Sequence, residues 1–150
     1  MVHIHHEGTC AAPRSVAFGY VDDYRTTTDW MFGLAAFVPT GPKDQGLGSV
    51  FDAKFSVKPI TLNSTVECSA WQDQELIAFT SIKGFVNRSS WRFVELAAEE
   101  TKLVVDFEYE LPGGLAGKAL GRALEPIVAL SIRHTDHALR KHIEERYAAR

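Results

Sequence analysis

Four polar side chains, Ser131, His134, Thr135 and His142, interrupt the apolar face of a helical repeat near the end of the chain. At ~100° per residue, Leu120, Leu124, Ile127, Val128 and Ala138 share that face, while Lys118, Arg122, Glu125, Arg133, Asp136 and Arg140 fall opposite. Ser131 and His134 lie near the centre of the stripe, with Thr135 and His142 nearer its edge or end. Hydroxyls in such places either bond back to helical carbonyls or fix the polar end of a molecule held in a mostly apolar pocket. An imidazole there is either a satisfied core group or a proton carrier with a pKa near neutrality. No partner at a fixed spacing supports proton transfer by His134.

Other candidate chemistries fail on spacing. On a strand, His3 and His5 share a face and His6 takes the other; a metal needs a third ligand with good geometry, and none stands nearby. His134 and His137, with Asp136 between them, fall short of two histidines and a glutamate on one helix face. The run from Gly113 to Lys118 resembles a phosphate loop only superficially. Pro112 occupies the first glycine position and Ala119 the magnesium-binding hydroxyl position, so nucleotide binding is rejected. No metal or cofactor is expected. The aromatic residues Trp30, Phe51, Phe55, Trp71, Phe79, Trp91, Phe93, Phe107 and Tyr109 lie largely in extended segments. Most belong to a core, and those opposite the helix's middle would line any cavity, with Tyr109 adding a hydroxyl. Asp52, Glu67 and Arg92 are read as solvent-facing.

These groups need elements to position them. The helical repeat runs from 115 to about 147, on the order of 50 Å, which demands a broad apolar partner. Pro126 lies inside it and predicts a kink or break near 122–125. Almost everything earlier is extended: 2–10, 32–38, 50–57, 60–70, 76–82, 90–97 and 102–111 read as strands separated by polar or Gly-containing links. Leu103, Val105, Phe107, Tyr109 and Leu111 alternate with Asp106, Glu108 and Glu110, one dry face and one wet, as in an antiparallel sheet covered on one side. Pro13 opens a short helix ending near 22–25, and the threonines at 26–28 cap it or begin a second small helix ending at Trp30. Gly113 and Gly114 make the turn into the long helix, and Gly117 and Gly121 permit close approach to the sheet.

Composition narrows the class. The chain has 150 residues, 45% of them hydrophobic, and a formal net charge of −3. This suits one domain with a real core and argues against a partner won by phosphate neutralisation, so nucleic acid is not expected. No apolar run approaches the ~18 residues of a membrane span, and residues 1–7 lack the order of a signal peptide. A cytoplasmic location and reduced thiols at Cys10 and Cys68 are expected; their pairing, like the oligomeric state, is left open.

The order of elements is α+β and resembles the SRPBCC superfamily of START-like, birch-pollen-allergen-like helix-grip proteins. The similarity is greatest to its polyketide cyclase/dehydrase and lipid-transport group. Ala12-Pro13-x-x-Val16, Asp22 or Asp23, and Trp30 with Leu34 resemble the family's strand–helix–Trp opening. Trp91-x-Phe93, Glu100-Thr101-Lys102-Leu103-Val104 and Phe107-x-Tyr109 resemble its last hairpin, and Pro112-Gly113-Gly114-Leu115 leading to Leu139 and Ile143 its loop and terminal helix. The resemblance spans nearly the whole chain. It implies one domain over 1–150: a curved seven-stranded antiparallel sheet wrapped around a long C-terminal helix, two short helices after the first strand, and an apolar cavity between sheet and helix. The function it implies is binding, or transport, of a hydrophobic small molecule such as a lipid, quinone, polyketide or aromatic compound. The ligand-binding set is expected to be Trp30, Phe51, Phe79, Trp91, Phe107, Tyr109, Ile127, Ser131, His134 and Thr135. Two alternatives stand beside it. One is a cyclase or dehydratase moving protons through His134; the other is a macromolecular interaction module without ligand. No motif carries a family catalytic residue onto a numbered position, so catalytic residues are unassigned.

Overall fold

Apolar residues at every second position make most of the chain extended. The computed structural model describes residues 2–57, 60–110 and 118–149; the side chains of 57, 60, 118–125, 127 and 129 lie outside the described set. The elements run β1 (Val2–Cys10), α1 (Arg14–Asp22), a 3-10 turn (Tyr24–Thr26), α2 (Thr27–Trp30), β2 (Leu34–Pro39), β3 (Val50–Val57), β4 (Ile60–Gln72), β5 (Leu76–Gly84), β6 (Val86–Ala97), β7 (Glu100–Glu110) and α3 (Lys118–Ala148). The strands form one curled antiparallel sheet in the order β1-β7-β6-β5-β4-β3-β2, the helix-grip arrangement expected.

Curling has local causes. The register shifts between Leu34 and Ala36, at Thr65/Val66 and Cys68/Ala70, and between Glu95 and Ala97, and such bulges bend a strand and increase its twist. Gly84 has φ 80°, and a Cβ there would stand 2.3 Å from the Asn63 carbonyl oxygen, so only glycine lets β5 end this close to β4.

The alternation in β7 places its faces as expected: Thr101, Leu103, Val105 and Tyr109 are buried. Leu103 and Val105 share one core cluster with α1 and the later part of α3, where Leu139 and Ile143 are fully buried. Cys10 and Cys68 are free, buried thiols. Burial pushes the Cys10 thiol up to about 11 and raises that of Cys68, which leaves both protonated and unreactive near neutrality.

Three expectations change. β6 begins at Val86 rather than at 90, because Asn87 and Ser89 face inward and their polarity hides the alternation. Of the kink or break expected near Pro126, the break is absent: α3 is one continuous helix through that residue. Asp136, placed opposite the apolar stripe, is 1% exposed. It lies on the flank of α3 that β1 covers, where Gly8 has no side chain to exclude it: a Cβ there would be 2.7 Å from Asp136 Oδ2. That oxygen accepts from Arg140 Nε at 2.8 Å and bonds His6 Nε2 at 3.0 Å. Leu111, Leu120, Leu124, the turn at 112–117, a helix start at 115 and the close approach of Gly121 lie outside the described residues or side chains.

The other two strand histidines face out, as their parity requires. His3 Nε2 and His5 Nδ1 share Asp106 Oδ1 at 2.9 and 2.7 Å, and His5 Nε2 reaches Glu7 Oε2 at 2.8 Å. The hydrogen bonds to Glu7 and then Asp106 raise the His5 pKa above its usual 6.5. Lys102, then His5, lowers Glu7 to about 2. Burial works to raise Asp106, but its bonds from His5 and His3 outweigh it and the net shift is downward. The signs follow from linkage. The His5 contribution is fully present below about 6.5 and is lost as pH rises through its raised folded value. The Glu7 contribution is present above about 4.5 and is lost as pH falls toward 2. The β1–β7 edge is therefore tightest between those two unfolded-state values. NMR titration of His5 should give a midpoint above 6.5 that moves down in Asp106→Asn; an unmoved midpoint would dissociate the pair.

Candidate functional site

The concave face of the sheet leaves a chamber beneath α1, α2 and β2. Its positioning begins in the short helices. Asp23 caps the 3-10 turn by accepting from Arg25 N at 3.1 Å and from the Arg25 guanidinium at 2.9 Å. Thr26 Oγ1 lies against the carbonyls of Tyr20 and Asp23, at 2.8 and 2.9 Å, and accepts from Trp30 Nε1 at 3.2 Å. The threonine run thus does more than cap a helix: it fixes the Trp30 ring over the sheet.

Below it, alternate residues of β3, β5 and β6 present rings. Phe37 and Phe51 stack with centroids 4.5 Å apart, Phe79 meets Phe37 edge-on at 5.8 Å, and Trp91 lies 6.4 Å from Phe79 and 5.9 Å from Trp30. Edge-to-face contacts of this kind lock rings against one another. They enclose a cavity of about 50 Å³. A water needs roughly 10–15 Å³ of such space, so the chamber as it stands holds a few waters and not a large ligand. At its mouth stand Asp22, Tyr24, Asp44 and Gln45. Trp71 Nε1 donates to Asp22 Oδ1 at 2.8 Å, and Gln45 Nε2 donates to the other oxygen. This ties the loop between β2 and β3 to the end of α1. The described wall contains two carboxylates and no lysine, arginine or histidine.

Of the aromatic residues singled out from sequence, Trp30, Phe51, Phe55, Trp71, Phe79, Trp91 and Phe107 line the chamber. Tyr109 is buried beside it, its ring 6.2 Å from Phe85 and 6.0 Å from Phe107, and is not part of the wall. The helix residues are placed differently from expectation. His134 is exposed, edge-on to Phe32 at 5.3 Å. Thr135 is buried, and its hydroxyl accepts from Phe32 N at 3.0 Å, so it clamps the turn after α2. Ser131 is half-buried. His142 is half-buried and stacks on Tyr20 at 6.2 Å. The side chain of Ile127 lies outside the described set. Among described residues, no α3 side chain lines the chamber.

What the sequence reading missed is the polar part of the wall and the mouth. Asn87 and Ser89 line the chamber from β6, four and two residues before Trp91. Extending the period-2 pattern backward from Trp91 and Phe93 would have found them. Asp22 and Gln45 are brought together only by the fold.

No group of three or more His, Cys, Asp or Glu among the described residues is placed to hold a metal ion, and no described helix is long and apolar enough to cross a membrane. Comparison with solved structures shows the same fold in several proteins. A protein from Thermus thermophilus is 16% identical, with a TM-score of 0.81 over 95% of this chain and 97% of that one. The ZhuI aromatase/cyclase from Streptomyces sp. R1128 is 21% identical, with a TM-score of 0.79 over 97% of this chain and 94% of its own. A START superfamily protein from Mycobacterium smegmatis is 15% identical, with a TM-score of 0.70 over 98% and 97%. No curated protein matches the chain in sequence. A family model described as polyketide cyclase/dehydrase and lipid transport matches residues 1–144, and together with the curled sheet and its long helix this makes the chain a member of that family.

Proposed function

We propose that the protein binds a neutral hydrophobic small molecule in the chamber under β3–β6, entered between the end of α1 and the loop between β2 and β3. One observation carries this reading: a ring-lined apolar space with a polar mouth, in a member of a family described by cyclisation and lipid transport. Burial of apolar surface, about 25 cal/mol per Å², supplies the affinity. Because the space is about 50 Å³, a ligand must displace part of the wall, and the half-buried Met31, Phe37 and Phe79 yield more cheaply than fully packed groups. With carboxylates and no cation in the described wall, an anionic ligand is disfavoured. Binding is favoured over proton transfer because His134, the residue on which a cyclase or dehydratase role would rest, is on the outer surface.

The test is uptake of two fluorescent probes of similar size. Neutral N-phenyl-1-naphthylamine is expected to brighten on titration with the protein, and anionic 1-anilinonaphthalene-8-sulfonate to respond at least tenfold more weakly. No response to the neutral probe at any accessible concentration would overturn the reading.

A further inference from the structure

The chain has three tryptophans, and their indole N–H groups differ in one respect. Trp30 donates to Thr26 Oγ1 and Trp71 to Asp22 Oδ1. Trp91 is 4% exposed, its Nε1 is buried, and it has no hydrogen-bond partner among the described residues. A buried donor without an acceptor is costly, and native proteins rarely keep one. Trp91 cannot readily turn to find a partner, because Trp30 meets its ring at 79° and Phe79 at 76°. Its inward-facing neighbours on β6, Asn87 and Ser89, carry acceptor oxygens, but neither bonds it: Nε1 finds no hydrogen-bond acceptor among the described residues.

Resting on the binding reading above, we propose that the Trp91 indole N–H is the group that reads the ligand, accepting into the chamber neutral molecules that carry a carbonyl-type oxygen. The N–H is out of reach of a water in the closed chamber, so a ligand that displaces part of the wall and brings an oxygen to it gains a bond without stripping that donor of solvent. A matched molecule without the oxygen leaves the N–H as it was. A carboxylate would also accept the bond, but it would enter a wall with Asp22 and Asp44 at the mouth and no described cation to pair with. The favoured class is therefore a compact apolar skeleton with one neutral acceptor.

Acetophenone and ethylbenzene, equal in shape and differing in the carbonyl, test this with the ¹⁵N-labelled full chain. Acetophenone is expected to bind roughly three- to tenfold more tightly and to move the Trp91 indole N–H resonance downfield, with those of Trp30 and Trp71 little changed. Trp91→Phe, which also assigns the resonance, should bring the affinity ratio to about one. Equal binding of both molecules with a stationary Trp91 N–H overturns the role of Trp91 and leaves the binding reading standing. Failure of both to bind overturns the two together. Should Trp91→Phe fold poorly, the resonance shift and the affinity ratio of the unsubstituted protein decide the matter by themselves.

Discussion

Asp136→Ala will lower the unfolding free energy by about 2–3 kcal/mol, read in urea denaturation or as a fall of roughly 5–10 °C in the melting temperature. The carboxylate is 1% exposed and holds two cationic or cation-capable partners, His6 from β1 and Arg140 from its own helix. Removing it strands both. Because their side chains remain 28% and 31% exposed, water recovers part of the loss, which keeps the figure below that for a fully buried pair. Gly8 supplies an independent check. A methyl group there would press on Asp136 Oδ2 and on Arg140 Nε, at 2.7 and 2.9 Å, so Gly8→Ala should cost about 1–2 kcal/mol alone. In the Asp136→Ala background much of that cost should vanish, a coupling that a double-mutant cycle reads directly. Additive effects would mean that Gly8 and Asp136 do not constrain one another.

The second large effect concerns the chamber. Ala53 lies on its wall in β3 and is 4% exposed. Ala53→Leu adds an isopropyl group to a space of about 50 Å³. It should reduce affinity for N-phenyl-1-naphthylamine at least tenfold, while stability shifts by no more than about 1–2 kcal/mol, since the new carbons enter existing space. Ala35→Leu, the same change at an exposed position of β2, should leave affinity unaltered. Undiminished binding by Ala53→Leu, with the control also normal, would place the probe somewhere other than this chamber.

Both predictions concern residues whose roles sequence patterning hides. Asp136 falls on the polar side of an ideal helical wheel, and a wheel assumes one apolar partner on one side. α3 has two: the concave face of the sheet and the edge strand β1, so its flank is buried as well. His134 errs in the opposite direction. It sits on the nominal apolar stripe, yet at its position the helix meets the turn after α2 through Thr135, leaving the imidazole exposed beside Phe32. Ala53 carries no chemistry and draws no notice until the wall around it is seen.

By itself the sequence determined what local periodicity can encode: strand against helix, the dry parity of β7, the order that places one long helix after a run of strands, and the aromatic supply of the wall. Period 2 and period 3.6 are properties of neighbouring residues, and they survive without knowledge of partners. Tertiary structure alone decided which side of α3 is covered, and which rings converge. It alone joined Asp22 to Gln45 across the mouth, and left Trp91, among the three tryptophans, with a buried N–H that no described residue satisfies. Those outcomes depend on the curl and register of the sheet, which set distances between residues far apart in the chain and leave no trace in the spacing of any one segment.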